Sequence, residues 1–326
     1  MKVLFVSSGN SGNFEITPFI KSQGDSLVQE GVEVSYFKIK DKGLFGYIKG
    51  VLELKKHLKK YTVDIIHAHY TLSGWSAVLS FPKQPIVLSL MGTDAYGHYI
   101  GVKKIKFSSR YLILLTKLIQ PFVSKIICKT KHIESFVYLK NKSTVIPNGI
   151  LLDKFTQENQ GFRSELGLEH NIRYVLFLGD KMNIRKNYML AKEAVNKINN
   201  PYIQLIRPYP ITHEQVIKYL NSVDCLVVPS FMEGSPNIIK EAMASNCPIV
   251  ATDVGDIKWL FGDEPGHYIS SFDPIDMAKK IEFALEFSEK KDRTNGRDRI
   301  FQLGLDSKRI ANRINDVYKN VLAKNE

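Results

Sequence analysis

Short apolar runs alternate with loops and amphipathic segments along the whole chain. In the first half the pattern predicts helices over 16–30, 47–61 and 102–119, and strands over 2–7, 32–39, 63–67, 86–90, 125–129 and 144–146. In the second half it predicts strands over 174–178, 203–206, 225–229 and 249–252, and helices over 187–196, 213–222, 236–245, from 274 onward and over 308–322. Strand, loop and helix at this spacing are typical of parallel βαβ units.

Two such series, one in each half, predict an α/β architecture of two doubly wound, Rossmann-like parallel-sheet domains with a cleft between them. The length of 326 residues agrees with two domains. We place the first domain at 1–155 and the second at 156–307, with the terminal helix, 308–326, crossing back to the first. Because such sheets bind ligands beyond the carboxyl ends of their strands, we expect the functional residues in the loops after strands.

Composition excludes several classes of protein. With 44% hydrophobic and 24% charged residues, the chain is neither disordered, nor collagen-like, nor a coiled coil. Its three cysteines form no CxxC pair, so we expect buried, reduced thiols in a cytoplasmic protein. The first residues have no signal-peptide features, and the longest apolar stretch, 111–119, is too short to span a bilayer.

The positive charge is concentrated in one half. Residues 1–155 hold 22 Lys and Arg against 10 Asp and Glu, whereas the remaining residues hold 23 of each. A basic surface attracts phosphates, anionic membranes or nucleic acid. No RRM, KH or zinc-finger motif is present, so we expect no nucleic acid partner.

The stretch 102–119 bears on the membrane alternative. A helix there would separate apolar Ile105, Leu112 and Leu115 from the basic residues Lys103, Lys106, Arg110 and Lys117. Such a pattern suits an interfacial helix at the anionic inner face of the cell membrane. It suits an ordinary helix with a solvated face equally well, and the sequence leaves the two readings open.

The most informative segment, 227–253, reads VVPSFMEGSPNIIKEAMASNCPIVATD. A strand opens it, a loop carries Glu233, and a helix starts near Pro236, a residue suited to the first helical turn. Glu241 lies on that helix, eight residues after Glu233. A helix N-terminus favours an anion such as diphosphate, and a nearby carboxylate accepts hydrogen bonds from sugar hydroxyls.

In the longer form PSFMEGSPNIIKEAMASNCPIVATDVGD, this segment resembles the retaining glycosyltransferases of the GT4 family, which have the GT-B fold. The resemblance extends to the opening KVLFVSSG, to TVIPNGILLDKF and to FLGDKMNIRKN, so it covers nearly the whole chain. Within the family the chain looks closest to polysaccharide-assembling enzymes of the teichuronic-acid and capsule type. The resemblance implies a nucleotide-diphospho-sugar donor and a glycan or lipid-linked acceptor in cell-surface polysaccharide synthesis.

The resemblance also implies roles for single residues. Glu233 would contact the donor sugar, and Lys186 would neutralise the diphosphate; both are catalytic candidates. The family's second basic residue is replaced here by Asp180, and both Lys181 and Arg185 remain open as substitutes. Glu241 would hold the nucleotide ribose, and the donor-binding candidates also include the segment Ser235, Pro236, Asn237 and Ile238.

The N-terminal half carries weaker candidates. Gly12 follows the first strand, where the backbone approaches a ligand closely, and is a donor-side candidate; Asn13 beside it is an acceptor-side candidate. His67 and His69 point the same way from a strand, but no carboxylate cluster accompanies them and we expect no metal site. We expect His67 in the core and His69 at the acceptor.

The segment SLMGTDAYG at 89–97 resembles a family motif in which a His stands where this chain has Met91. Asp94 matches that motif and is the third catalytic candidate, with capping of the following turn as the alternative. His98, four residues later, is a further acceptor-side candidate.

Two alternatives to a glycosyltransferase come from other classes. A dinucleotide enzyme requires GxGxxG after the first strand, and the loop GNSGNF lacks the last Gly. A catalytically degenerate scaffold is suggested by Met91 and Asp180. No acidic DxD cluster is present, so we expect neither a metal nor a cofactor besides the donor substrate.

Overall fold

The computed structural model describes residues 1–9, 16–40, 43–155 and 162–324, which form two compact α/β units. The N-terminal unit comprises residues 1–98, 106–149 and 307–326, and the second unit comprises 99–105 and 150–306. The division therefore falls at Gly149 rather than at residue 155, and a short segment from the first half, 99–105, belongs to the second unit. The terminal helix groups with the N-terminal residues.

The N-terminal unit alternates strands and helices in chain order. Its first elements are β1 (Lys2–Ser8), α1 (Pro18–Gln29), β2 (Glu33–Ile39), α2 (Gly43–Lys60), β3 (Ile65–His69), α3 (Thr71–Leu79), β4 (Ile86–Leu90) and α4 (Thr93–Tyr96). The chain then forms a hairpin of the second unit, β5 (Tyr99–Gly101) and β6 (Lys104–Ile105). It returns to the N-terminal unit with α5 (Arg110–Ile119), β7 (Lys125–Cys128), α6 (Lys131–Ser135) and β8 (Ser143–Val145).

Six of these strands form one parallel sheet in the order β2-β1-β3-β4-β7-β8. The strands are short apolar runs, and β3 and β4 are buried along their whole length. Strand order reverses direction between β1 and β3, which places a ligand-binding crevice beyond the carboxyl ends of these two strands.

The second unit repeats the arrangement. Its remaining elements are α7 (Phe162–Glu165), β9 (Arg173–Leu176), α8 (Tyr188–Ile198), β10 (Ile203–Ile206), α9 (His213–Ser222), β11 (Cys225–Val228), α10 (Asn237–Ala244), β12 (Ile249–Thr252), α11 (Ile257–Phe261), β13 (His267–Ser270), α12 (Pro274–Lys291) and α13 (Gly296–Gln302). The chain then returns to the N-terminal unit as α14 (Ser307–Leu322).

The second sheet is also parallel, in the order β10-β9-β11-β12-β13. A buried core packs α8 and α12 on one of its faces, with Val175, Leu190 and Met277 among its members. The reversal of strand order lies between β9 and β11. The loops that follow those two strands therefore meet at the crevice of this sheet.

Local sequence signals explain several helix boundaries. α9 begins with a capping box in which the Thr212 side chain accepts from Gln215 N and the Gln215 side chain accepts from Thr212 N. α12 begins with Asp273, whose carboxylate accepts from Ile275 N, followed by proline in the first turn. α14 buries one face, including Ile310, Ile314 and Tyr318, at helical spacing.

The expected helix over 102–119 is wrong in its first half. Lys104–Ile105 pairs with Tyr99–Gly101 as an antiparallel hairpin, with Lys103 in the turn at φ 54°, and the α-helix begins only at Arg110. The pattern did not predict α3, α11, α13 or β13. All three cysteines are buried free thiols, as expected. Among the described residues, no helix has the length and apolarity needed to cross a membrane.

Candidate active site

The best-defined polar cluster lies beyond the carboxyl ends of β9 and β11, at the crevice of the second sheet. The loop after β9 brings Arg185 and Lys186, and the loop after β11 brings Glu233. Lys186 Nζ lies 2.7 Å from Glu233 Oε1, and Arg185 Nη1 lies 2.6 Å from Glu233 Oε2. Ser230 donates a further hydrogen bond to Oε1 at 2.9 Å. The Glu233 carboxylate is thus held on both oxygens.

Glu233 is a buried anion stabilised by two cations. Burial alone would raise its pKa, but the charges of Lys186 and Arg185 and their hydrogen bonds outweigh that effect and lower the pKa to about 2. Its side chain is only 8% exposed, so solvent screens these ion pairs weakly. The carboxylate therefore stays ionised, as a hydrogen-bond acceptor, through the whole ordinary pH range.

Backbone contacts fix the two loops to each other. Arg185 donates through Nη1 to the Met232 carbonyl at 2.8 Å, and its own carbonyl accepts from Phe231 N at 2.9 Å. Asn187, in the left-handed region at φ 53°, donates to the Pro229 carbonyl and ends the short 3₁₀ turn Ile184–Lys186. This turn also contacts the β5–β6 hairpin.

The two residues left open as substitutes for the family's second basic residue differ in their positions. Lys181 and Asp180 are exposed, and the Asp180 carboxylate accepts only a local hydrogen bond from Met182 N. Arg185 joins Lys186 at Glu233. Two basic side chains, from adjacent positions, therefore occupy the crevice.

Gly255 makes close packing behind the Glu233 loop possible. Its φ is +66°, and a Cβ at this position would lie 2.3 Å from the Gly234 carbonyl oxygen and 2.7 Å from that of Glu233. Only glycine accommodates both the conformation and the contact. The loop after β12 therefore supports the loop that carries Glu233.

The helix α10 begins directly after this loop. Pro236 is its N-cap and is buried, whereas Ser235, Asn237 and Ile238 are half-buried at the first turn. The first backbone N–H groups of a helix lack partners within the helix. The donor-binding candidates 235–238 thus surround the positive end of a helix dipole next to Arg185 and Lys186.

Glu241 has a partner that sequence reasoning missed. His213 Nε2 lies 3.2 Å from Glu241 Oε1, and this hydrogen bond raises the pKa of His213 above its usual value. His213 stands at the first position of α9, directly after the capping residue Thr212. The sequence feature that could have identified His213 is its position at the start of a helix that follows a strand.

Two further charged residues are buried behind the site. Lys240 is wholly buried on α10, and burial lowers its pKa to about 8 despite the neighbouring charge of Asp256. Burial raises the pKa of Asp256, whose carboxyl also lies beside Ser235. Both residues belong to the motif quoted from the sequence, yet neither was singled out, because a lysine between Ile239 and Glu241 looks like ordinary helix surface.

Asp94 is fully buried. Its carboxylate accepts hydrogen bonds from Met91 N, Gly92 N and Thr71 N at 2.9, 2.8 and 3.1 Å. Burial raises its pKa to about 6, against the opposite effect of these hydrogen bonds. Asp94 ties the loop after β4 to the start of α3. The alternative of a local cap describes its contacts better than direct contact with a ligand.

His67 and His69 lie inside the N-terminal unit. His67 is packed as expected, with Nδ1 2.5 Å from the Tyr318 hydroxyl and Nε2 2.8 Å from Ser89 Oγ. His69 is 1% exposed, stacks on His67 and packs against Phe5 with tilted rings. Burial lowers the pKa of both imidazoles, so both are neutral at pH 7. The expectation that His69 reaches an acceptor directly does not agree with this burial.

The remaining candidates divide between exposed and undescribed positions. His98 is exposed at the end of a segment of the N-terminal unit, where its backbone N–H donates to Ser109 Oγ. Gly12 and Asn13 lie outside the described residues. In the described ranges, no group of three or more His, Cys, Asp or Glu side chains is placed to hold a metal ion.

Two family models match the chain side by side. The model described as "Glycosyl transferase 4-like" matches residues 5–130, and the model described as "Glycosyl transferases group 1" matches residues 169–286. The first match falls in the N-terminal unit and the hairpin, and the second contains Arg185, Lys186, Glu233 and Glu241.

Curated relatives are between 20% and 28% identical to this chain over the aligned residues. A putative teichuronic acid biosynthesis glycosyltransferase of Bacillus subtilis is 28% identical over 240 residues, which are 65% of this chain and 58% of that protein. The chain thus spans less than two thirds of that relative's length. A UDP-Gal:α-D-GlcNAc-diphosphoundecaprenol α-1,3-galactosyltransferase of Escherichia coli is 24% identical over 70% of this chain and 68% of that protein.

A solved structure agrees with the fold over nearly the whole chain. The sucrose-phosphate synthase of Thermosynechococcus elongatus superimposes with a TM-score of 0.84 at 19% identity, covering 99% of this chain and 100% of that one. At this identity the similarity establishes the architecture alone.

Proposed function

Because the chain belongs to the GT4-type glycosyltransferases, with the expected GT-B class of fold, we propose that it transfers a sugar from a nucleotide-diphospho-sugar with retention of the anomeric configuration. The observation that carries this proposal is the cluster of Arg185, Lys186 and Glu233 beside the N-terminus of α10. It combines two cations, a helix dipole and one carboxylate at the crevice of a parallel sheet.

The donor diphosphate would lie between the basic pair and the first turn of α10. When the bond between the anomeric carbon and the phosphate oxygen breaks, negative charge develops on the leaving diphosphate. Lys186, Arg185 and the backbone N–H groups of the first turn would stabilise that charge, since they are already in position. Glu233, ionised at every ordinary pH, would accept hydrogen bonds from the sugar hydroxyls.

Glu241 and His213 would form the nucleotide end of the donor site. A ribose presents two neighbouring hydroxyl groups, and a carboxylate accepts hydrogen bonds from both. His213 holds Glu241 in one orientation and supplies a second polar group at the same place. We propose Glu241 as the ribose ligand and His213 as the residue that positions it.

The acceptor hydroxyl would attack from the face that the diphosphate leaves. The new bond joins the acceptor oxygen to the anomeric carbon, and the hydroxyl proton passes to the leaving phosphate oxygen. This balance requires no protein nucleophile and no metal. We propose that Asp94 acts as a positioning residue in the N-terminal unit, because its carboxylate fixes the loop of Met91 and Gly92 without reaching open space.

We propose a glycan or lipid-linked acceptor in the synthesis of a cell-surface polysaccharide. The names of two relatives support this proposal: one is assigned to teichuronic acid biosynthesis, and the other acts on a sugar attached to diphosphoundecaprenol. The N-terminal unit, with 24 Lys and Arg against 11 Asp and Glu over its residues, suits an anionic acceptor and an anionic membrane surface.

The degenerate-scaffold alternative rests on Met91 and Asp180, which replace a His and an Arg of the family pattern. Arg185 provides the second cation that Asp180 lacks. Only Met91 therefore still favours that alternative.

A panel of UDP-, GDP- and ADP-sugars tests the proposal. The correct nucleotide diphosphate should raise the unfolding midpoint, because a ligand at 100 times its Kd stabilises the fold by about 2.7 kcal/mol. The matching sugar donor should give a product whose anomeric configuration, read by NMR, equals that of the donor. Inversion would contradict the retaining mechanism. No turnover with any donor, together with no effect of Glu233→Gln on nucleotide binding, would favour the scaffold.

A further inference from the structure

An apolar groove of about 730 Å³ lies on the N-terminal unit, between α2, α3 and α5. Its walls are aliphatic, formed by Ile48 and Val51, Leu72 and Leu79, and Leu115 and Leu118 of the three helices. Proteins seldom leave contiguous apolar surface open to water without a binding role, and the volume is that of a small-molecule site.

Three of the lining residues are far more exposed than a core residue would be. Ile48 is 55% exposed, Leu79 47% and Leu118 51%. Each of the three comes from a different helix, so the exposure extends over the whole groove and does not come from one frayed helix. A long apolar ligand would contact all three at once.

One end of the groove lies at the carboxyl edge of the first sheet. α2 and α3 follow β2 and β3 directly, so both helices start at that edge and run away from it. Tyr47 and Tyr111 line the groove near those starts, and the Tyr47 hydroxyl hydrogen-bonds Ser8, the last residue of β1. Tyr111 lies near Tyr70, which neighbours Asp94.

The backbone of Tyr70, at this end of the groove, has an unusual conformation. It has φ 83° directly after β3, a conformation that is costly for a bulky residue. Such outliers cluster at binding sites. The groove therefore leads from the edge where ligands of this sheet bind, outward along the helices.

The rim of the groove is basic. Lys55 and Lys59 are exposed and continue the line of Ile48 on α2, seven and eleven residues along. Arg110 precedes Tyr111 at the polar end, and Lys117 precedes Leu118. α3 and α5 contain no acidic residue. An apolar floor with a cationic rim complements a hydrocarbon chain joined to an anion.

We propose that this groove binds the hydrocarbon chain of the acceptor lipid, with the lipid phosphate facing Arg110 and Tyr111 at the carboxyl edge of the sheet. The inference rests on the proposed function, because it names the acceptor class of that same enzyme. A partner protein would need both an apolar ridge and acidic residues beside it, whereas a lipid phosphate carries the hydrocarbon chain and the anion in one molecule.

The length of the ligand's hydrocarbon chain should determine its affinity for the groove. Each methylene removed from water contributes about 0.8 kcal/mol, which is about fourfold in Kd. Alkyl phosphates from hexyl to undecyl should therefore bind progressively more tightly, whereas inorganic phosphate should bind weakly and without competing. This series separates recognition of the chain from recognition of a free phosphate.

The two tryptophans allow a local readout. Trp75 lines the groove, where its indole donates to the Leu115 carbonyl at 3.1 Å, and Trp259 lies in the second unit. In a Trp259→Phe variant, 11-bromoundecyl phosphate below its micelle concentration should quench Trp75 fluorescence at saturation. In the matched Trp75→Phe variant, the same probe should leave Trp259 fluorescence unchanged.

A second pair of variants tests the walls. Ile48→Glu with Leu118→Glu, placed in the Trp259→Phe background, should weaken binding of the probe at least tenfold. The control is Ile275→Glu, the same change at a residue that is 64% exposed on α12, which should leave binding unchanged. Nucleotide-diphosphate thermal shifts report on the donor site in every variant.

Three results would overturn the proposal: equal quenching of both tryptophans, no quenching of Trp75, or binding unaffected by the two wall substitutions. A change of oligomeric mass caused by the wall substitutions, without quenching, would identify the groove as a protein interface and would also overturn it. If the donor shift persists while these results appear, the groove proposal fails and the glycosyltransferase proposal stands. If Trp75 alone is quenched and no nucleotide diphosphate raises the unfolding midpoint, the groove proposal stands and the glycosyltransferase proposal fails.

Discussion

The two units use charge in opposite ways. The second unit is nearly neutral, with 21 Lys and Arg against 22 Asp and Glu, yet it buries Glu233 in ion pairs with Arg185 and Lys186 and also buries Lys240. The N-terminal unit carries the whole excess of positive charge. At its sheet edge it buries two neutral imidazoles and Lys129, whereas most of its other lysines lie on the surface.

The difference teaches what each kind of charge is suited to do. Buried, paired charges are fixed in place and weakly screened, so they can act on a reacting group at contact distance. Surface charges are mobile and screened within about 10 Å at 0.1 M salt, so they attract an anionic partner without orienting it. Net charge alone would have pointed to the N-terminal unit, whereas we propose the donor chemistry in the second unit.

The largest expected effect comes from breaking the central cluster of the second unit. Glu233→Gln removes the charge that pairs with Arg185 and Lys186, so the donor sugar loses its acceptor carboxylate and both cations lose their alignment. We expect kcat to fall by about 10²–10³-fold, the scale of losing one preorganised electrostatic group. Glu282→Gln, at an exposed site on α12, is the control and should keep full activity. A loss of less than threefold at Glu233 would contradict its assignment.

The buried charges behind the site should have the next largest effect, on stability. Lys240→Met removes a buried cation, and the lowered pKa of Lys240 means that the cost of burial outweighs the attraction of Asp256. We therefore expect the free energy of unfolding in urea titrations at neutral pH to rise by up to about 3 kcal/mol. The double variant Lys240→Met with Asp256→Ala should be at least as stable, because neither buried charge remains. An exposed pair, tested by Lys290→Met, should cost less than about 0.5 kcal/mol.

The same lysine should give stability a distinctive alkaline pH dependence. The folded state lowers the pKa of Lys240 from 10.5 to about 8. Between pH 8 and 10.5 the unfolded chain therefore binds the proton that the folded chain has released, and stability rises with pH. This rise should disappear in Lys240→Met. An unchanged pH profile in that variant would show that the pKa shift belongs to another group.

The surface charge of the N-terminal unit should control membrane binding. Replacing Arg110 and Lys117 with Gln should weaken binding to vesicles containing phosphatidylglycerol by about 30-fold, since each basic residue near such a surface contributes about 1 kcal/mol. Removing two charges from the second unit, as Lys279→Gln with Lys291→Gln, should have little effect. Wild-type binding should fall steeply with salt. Binding that is absent or insensitive to salt would remove the membrane from the proposed function.

The smallest effect is expected at the pair of His213 and Glu241, in which the histidine is half-exposed. Glu241 raises the pKa of His213 in the folded state, so the pair contributes stability that is fully present below pH 6.5 and disappears as pH rises through the folded pKa. His213→Gln should cost less than about 1 kcal/mol at pH 6 and nothing at pH 9. The KM for the nucleotide donor should rise with kcat nearly unchanged, as expected for a positioning residue.

Most of the sheets could be predicted from the sequence, because buried parallel strands are continuous apolar runs and need no partner to be visible. Helices that pack on several sides were harder. α3, TLSGWSAVL, starts directly after β3 with no capping side chain and reads as a Ser/Gly loop. The stretch 102–119 has helical periodicity throughout, but the hairpin paired its first residues with Tyr99–Gly101.

The candidate site shows the same limit. Glu233, Lys186 and Glu241 stand out through their motif and its position after strands. Whether Arg185 or Lys181 contacts Glu233 depends on which way a short 3₁₀ turn faces, and the sequence holds no signal for that. His213 and Asp256 lie 28 and 16 residues from their neighbours Glu241 and Lys240, so only the folded chain brings them together.

By itself, the sequence determined the class of fold, the family and the segments that we propose to carry the chemistry, because apolar periodicity and a motif after a strand are local properties. The tertiary structure decided which charges are buried, and with what partner. It withdrew Asp94 and His69 from solvent, paired Glu233 with two cations, and left the groove between α2, α3 and α5 open. Burial and ion pairing depend on how distant elements pack. They determine whether an ionisable side chain is charged or neutral, and therefore whether it can act on a ligand or only stabilise the fold.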